Sequence, residues 1–177
     1  MSYRNFAIGP VGKAAVWFAV GFGTLVPLAL AGIGIVAARK SGADPVGLLA
    51  MQALVAVAIL AVLLPMWRRE VAFDGKHVRV KATYYSRLAA LSDFDLGRAR
   101  VVDTREHTEF KPALKTNGLA LPGYWAGNFR LRDRRKAFCL VTDPSRVLAL
   151  PHADGRVWLL SFEHPQAVLD ILRRHAG

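Results

Sequence analysis

Residues 14–38 read AAVWFAVGFGTLVPLALAGIGIVAA, twenty-five positions without a charged side chain. Wound into an α-helix, this stretch is about 37 Å long, enough to cross a hydrocarbon core of about 30 Å with some tilt. It exceeds the apolar core of a secretory signal, which runs to about 15 residues. Its Ala- and Gly-rich part at 29–34 is the one place that mimics a cleavage site. A second uncharged run, VGLLAMQALVAVAILAVLLPMW, occupies 46–67. The linker between the runs is RKSGADP, so short that two helices joined by it must lie antiparallel, with Gly42 and Pro45 stopping and restarting the chain and Asp44 as N-cap. The sequence thus predicts a transmembrane hairpin over residues 1–67.

Composition supports the division. The chain is 53 % hydrophobic with a mean hydropathy of +0.26, yet it carries a net charge of +11. Only Arg4, Lys13, Arg39, Lys40 and Asp44 are charged before residue 68; the remaining 20 basic and 12 acidic residues leave 68–177 at +8. Basic residues favour the cytoplasmic side of a span. Arg4, Lys13, Arg68, Arg69, Lys76, Arg79 and Lys81 outnumber Arg39 and Lys40 of the linker. Both termini are therefore expected in the cytoplasm. Within the first run Ala15, Ala19 and Gly23 form a stripe of small residues that admits close helix contact, either with the second helix or between protomers. Pro27 is expected to kink this helix. Thr24 and Gln52 are too few polar groups for a transport path.

After Arg68 the period changes to two. Val71 and Phe73, the Asp74-Gly75 turn and residues 77–81 read as a hairpin. Val101 and Val102 belong to a further strand, residues 129–132 and 137–141 flank a charged turn, and 146–150 and 156–160 flank Ala153-Asp154-Gly155. From Pro165 the apolar residues Val168, Leu169, Ile171 and Leu172 share one helical face, with Arg173, Arg174 and His175 in the last turn, where cations suit the helix dipole. Six or seven strands closed by a helix predict an α+β protein whose residues 68–177 form a small barrel or sandwich. The single cysteine, Cys139, lies in an apolar strand and reads as core rather than as a reactive thiol.

The segment KTNGLALPGYWAGNF at 115–129 is the most specific, and with Val141-Thr142-Asp143, the strand at 147–150 and Leu160-Ser161 leading to His164-Pro165 it resembles the bacterial pleckstrin-homology-like (PH) membrane proteins over roughly 68–177. The resemblance implies a PH-like barrel, a bacterial inner-membrane location and a non-catalytic scaffold or ligand-binding role, with no cofactor and no catalytic residues to carry over. The residues themselves suggest Asn117-Gly118 as a tight turn, Pro122-Gly123 as the centre of a type II turn and Gly127 as a bulge or close backbone approach. Tyr124 and Trp125 either close the core or place one ring at a lipid interface.

No catalytic or metal-binding pattern emerges. His77, His107, His152, His164 and His175 lack ligand spacing, and neither a phosphate loop nor a nucleophile elbow is present. The densest charge is Arg130, Arg132, Arg134, Arg135 and Lys136, opposed only by Asp133. It is either a solvated hairpin tip or a surface for anionic head groups. Nucleic acid is disfavoured, since no nucleic-acid fold signature accompanies it. The expected partners are anionic membrane lipid, another membrane protein or further copies of the chain, the last as a purely structural homo-oligomer.

Overall fold

The computed structural model describes residues 4–41 and 45–176. Helix α1 (Lys13–Ser41) and helix α2 (Pro45–Leu63) form an antiparallel pair, and a 3₁₀ turn (Leu64–Trp67) extends α2. The α1 stretch Lys13–Lys40 is long and apolar enough to cross a membrane; the apolar part of α2, Val46–Ala61, is shorter. Gly23 faces Ile59 and Leu63 of α2, while Ala15 and Ala19 are buried with the core cluster. The Gln52 amide donates to the Pro27 carbonyl at 2.5 Å, and the Thr24 hydroxyl to the Val20 carbonyl at 2.8 Å, so both polar side chains are paired within the two helices. The expected helix stop Gly42 and N-cap Asp44 lie outside the described residues.

Among the described residues, ten strands form two sheets. The first has the order β1 (Arg4–Phe6), β2 (Arg69–Phe73), β3 (His77–Ala82) and β4 (Tyr85–Ala90), all antiparallel. The second runs β5 (Arg100–Val102), β9 (Val147–Pro151), β10 (Val157–Ser161), β8 (Lys136–Val141), β7 (Tyr124–Leu131) and β6 (Pro112–Leu121). Strands β8 and β10 pair in parallel, Phe138 opposite Trp158; the other pairs are antiparallel. Helix α3 (Pro165–Ala176) contributes Val168, Leu169 and Leu172 to the core between the sheets.

Two expectations need correction. No strand joins the two sheets among the described residues, so the fold is an open sandwich and not a closed barrel. Asn117 and Gly118 are no turn: both lie inside β6, where Gly118 pairs with Gly127. A Cβ at Gly127 would stand 2.6 Å from the Asn117 carbonyl oxygen, which is the close backbone approach foreseen for that glycine. Strand β1 precedes both helices and pairs with β2 beyond them.

The central strands of the six-stranded sheet bury both faces. Tyr124, Ala126, Phe138, Leu140, Leu148, Leu150, Trp158 and Leu160 face the first sheet and α3. Phe129, Leu131, Cys139, Val141, Val147 and Leu159 form a second core on the other face, with Phe110 from the β5–β6 connection. Burial on two faces explains why β8 and β10 read as continuous apolar runs.

Candidate binding surface

The two ends of the sandwich differ. At one end the sheets meet the helical pair: the Tyr84 hydroxyl donates to the Ala61 carbonyl, Arg69 donates to the Gly9 carbonyl at 3.2 Å, and Gly9 and Gly12 pack on Thr142. Tyr124 belongs to this end through its hydroxyl, 3.1 Å from the Thr83 hydroxyl. From Tyr124, β7 runs away from the helices to Arg130. At about 3.3 Å per residue, the β7–β8 turn lies about 20 Å beyond the helix-contacting end.

Five basic residues grouped in the sequence are separated by this geometry. Alternation along a strand sends neighbours to opposite faces. Arg130 on β7 pairs with Lys136 on β8, and both share the face of Ala126 and Phe138, toward the first sheet. Arg135 goes the other way: its guanidinium bonds Asp133 at 2.5 Å and lies 5.3 Å from the centre of the Phe110 ring, with Arg100 at 5.1 Å from the same ring. Arg132 and Arg134 stay exposed at the tip, where Arg134 takes a left-handed φ of 70°.

The aromatic pair divides as well. Tyr124 is fully buried, which pushes its hydroxyl pKa upward, and its ring closes the core. Trp125 is half-buried against the second core. Cys139 is fully buried, and burial pushes its thiol pKa far above the ordinary range. No group of three or more potential metal ligands occurs among the described residues. His152 lies parallel to the Trp158 ring and pairs with Asp154 at 2.9 Å, while His77 pairs with Asp74 at 3.4 Å.

Two cations absent from the sequence-level grouping join Arg130 and Lys136. Arg156 directly precedes β10 and faces the same way as Trp158. Arg87 lies on the Ala89 face of β4 and is itself exposed; its guanidinium lies 5.9 Å from the Phe138 ring centre and 3.3 Å from the Asn128 side-chain oxygen. Together with Thr116, Asn117 and Asn128 these four line a cavity of about 380 Å³. The only local hint of Arg87 was its phase, since it alternates with the inward Tyr85 and Ala89. Its meeting with β7 arises from packing between sheets.

A family model described as a bacterial PH domain matches residues 74–176, from the end of β2 to the end of α3. No curated protein and no solved structure gave a significant match. Such domains are in general binding modules rather than enzymes. With more than half of its length matched, the chain belongs to the bacterial PH domain family.

Proposed function

We propose that the chain is a membrane-anchored, non-catalytic PH module, with α1 and α2 crossing the inner membrane and the sandwich in the cytoplasm, where its basic end engages an anionic partner. The observation that carries the anchoring is the pairing of β1 with β2. The strand before the helices and the strand after them belong to one sheet, so if α1 leaves the compartment of the domain, α2 must return. A cleavable leader would not be built into the sheet of the mature domain. Many large apolar side chains described on the helices lack protein cover: Trp17 is 73 % exposed, Leu54 72 % and Leu28 66 %, and side chains of this kind in that number are suited to lipid. With its 3₁₀ extension, α2 spans about 36 Å.

Carbonate extraction and cysteine labelling of intact cells test this reading. The chain should stay with the membrane, and Lys40→Cys should react from outside while tags at both termini stay protected. Release by carbonate, or one sidedness for turn and termini, would overturn it.

A second reading is a purely structural homo-oligomer. It is favoured by β6, a ten-residue edge strand whose side chains are mostly exposed, Leu114 at 61 %. Unpaired edges invite pairing with another chain. Light scattering in detergent separates the readings: a strict monomer removes the second.

A further inference from the structure

We propose that the cleft between Arg87, Arg130, Lys136 and Arg156 is a binding site for an anion carrying two or more phosphoryl groups, which deepens the reading of the domain as a binding module. The pairing register supplies the argument. Arg130 stands opposite Lys136 across β7 and β8, and the Ala137–Val157 pair places Arg156 beside Lys136 across β8 and β10. Three cations thus form one row over three neighbouring strands, all on the face turned to the first sheet. Like charges directly opposite one another on a sheet repel. Neither Arg130 nor Lys136 has an ion-pair partner among the described residues, no carboxylate lines the cavity, and only Arg156 is neutralised, by Asp154 at 3.1 Å.

Arg87, Arg130 and Lys136 are exposed and Arg156 is half-buried, so the cleft is open to solvent; exposure alone does not explain why four cations from two sheets converge on one cleft with no carboxylate in its lining. Edge protection by an inward charge accounts for Arg87, which lies on an edge strand. It does not account for Arg130, Lys136 and Arg156, which belong to or border the interior strands β7, β8 and β10. An anion in the cleft removes the repulsion.

Size narrows the ligand. Strands lie about 4.8 Å apart, so the row is about 10 Å long. A single phosphoryl group reaches two of its members; a diphosphate spans all three, with Arg87 closing from the opposite sheet. Guanidinium forks suit phosphoryl oxygens in bidentate fashion. Asn117, Asn128 and Thr116 add neutral polar groups at the wall. The cavity lies within the usual size range of small-molecule sites. Its Arg130 lies about 20 Å along β7 from Tyr124 at the helix-contacting end.

The test uses the full chain in neutral detergent, titrated calorimetrically with inorganic pyrophosphate at low ionic strength, and the same protein in zwitterionic nanodiscs offered vesicles containing cardiolipin, whose head group carries two phosphoryl groups. The pair R130Q/K136Q should weaken binding at least about tenfold. The pair R132Q/R134Q removes the same charge from the exposed tip and should weaken it less than about threefold, the loss expected of exposed charges. Pyrophosphate binding that depends on the cleft pair identifies a free phosphorylated ligand. Vesicle capture that depends on the cleft pair, without pyrophosphate binding, identifies a lipid head group. Equal loss for the two pairs, or no binding of either probe, overturns the site. Melting curves of both variants matching the parent show that folding is intact. A failed titration leaves the membrane reading standing, and release of the chain by carbonate leaves the titration meaningful.

Discussion

Phe6 lies directly opposite Val71, although 64 residues and both long helices separate them in the chain. The Phe6 ring stacks on Phe73 at 6.3 Å and meets Phe162 edge-on at 5.8 Å, so the N-terminal strand reaches the core that α3 closes. Truncating a buried phenylalanine costs about 3 kcal/mol or more. Phe6→Ala should therefore lower the unfolding midpoint of the full chain in neutral detergent by several degrees. An unchanged midpoint would show that β1 is dispensable.

The same pairing predicts that residue 74, where the family match begins, is not a folding boundary. A fragment of 74–176 lacks β1 and β2, leaving β3 as an edge with Val78 and Val80 uncovered. Exposed apolar edges aggregate. The fragment should be insoluble or lack cooperative unfolding; a sharp thermal transition for it would refute the contribution of β2.

What the sequence revealed, and what it hid, follows from the range of the interactions. The uncharged runs, the turns at Asp74-Gly75, Pro122-Gly123 and Asp154-Gly155, and the amphipathic α3 were legible because each depends on a few adjacent residues. Gly75, Gly123 and Gly155 all adopt positive φ, as such turns require. Strand β1 has three residues and a distant partner, so no period could disclose it. Strand β4 (YSRLAA) was hidden because Arg87 occupies an inward position where an apolar residue would mark the alternation. The Asn117-Gly118 pair has turn chemistry, but Gly118 is needed for a different reason: a Cβ there would lie 2.4 Å from the Ala126 carbonyl oxygen. The basic cluster was visible as a run of charge, whereas its division between two faces required the register of β7 on β8.

Gly127 tests that reading of the β6–β7 pair. It has a φ of +115°, and a Cβ would meet the Gly118 Cα at 2.7 Å and the Tyr85 ring at 3.0 Å. Gly127→Ala combines a strained backbone with overlap that β6 must move to relieve, and should cost at least about 3 kcal/mol. Gly75 supplies the comparison, with a φ of +91° and nothing within 4 Å of a new Cβ. Gly75→Ala should cost only about 1–2 kcal/mol. Equal losses in chemical unfolding would mean that strain alone, without the close approach, governs both sites.

Acid should destabilise the sandwich through identifiable carboxylates. Asp143 accepts the Ser145 hydroxyl at 2.6 Å and the Ser145 amide at 2.9 Å, and these bonds, with Arg146 and Arg105 nearby, hold its pKa below the ordinary 3.8. The Lys76 and His77 amides do the same for Asp74, and Arg98 for Asp95. A carboxyl whose pKa is lower in the folded state contributes stability above its unfolded pKa and loses it as pH falls through the folded value. Stability should thus be level from neutrality to about pH 4 and decline below it. Asp143→Asn should be less stable at neutral pH and show a shallower decline in acid; parallel declines for variant and parent would exclude Asp143.

Cys139 offers a probe of the whole second core. Its sulfur is fully buried between β7 and β10, and burial disfavours the thiolate that reacts with maleimides. Labelling therefore requires the strands on both sides of β8 to separate, an opening close to global unfolding. Native protein should react at least about a thousandfold more slowly than the unfolded chain, in proportion to the population of opened molecules. Phe110→Ala removes the ring that covers this face and should accelerate labelling by the amount it destabilises the fold, about a hundredfold for a loss near 3 kcal/mol. If Phe110→Ala lowers stability but leaves the labelling rate unchanged, the thiol is reached by local fraying, and the outer face is not the cooperative core that its burial implies.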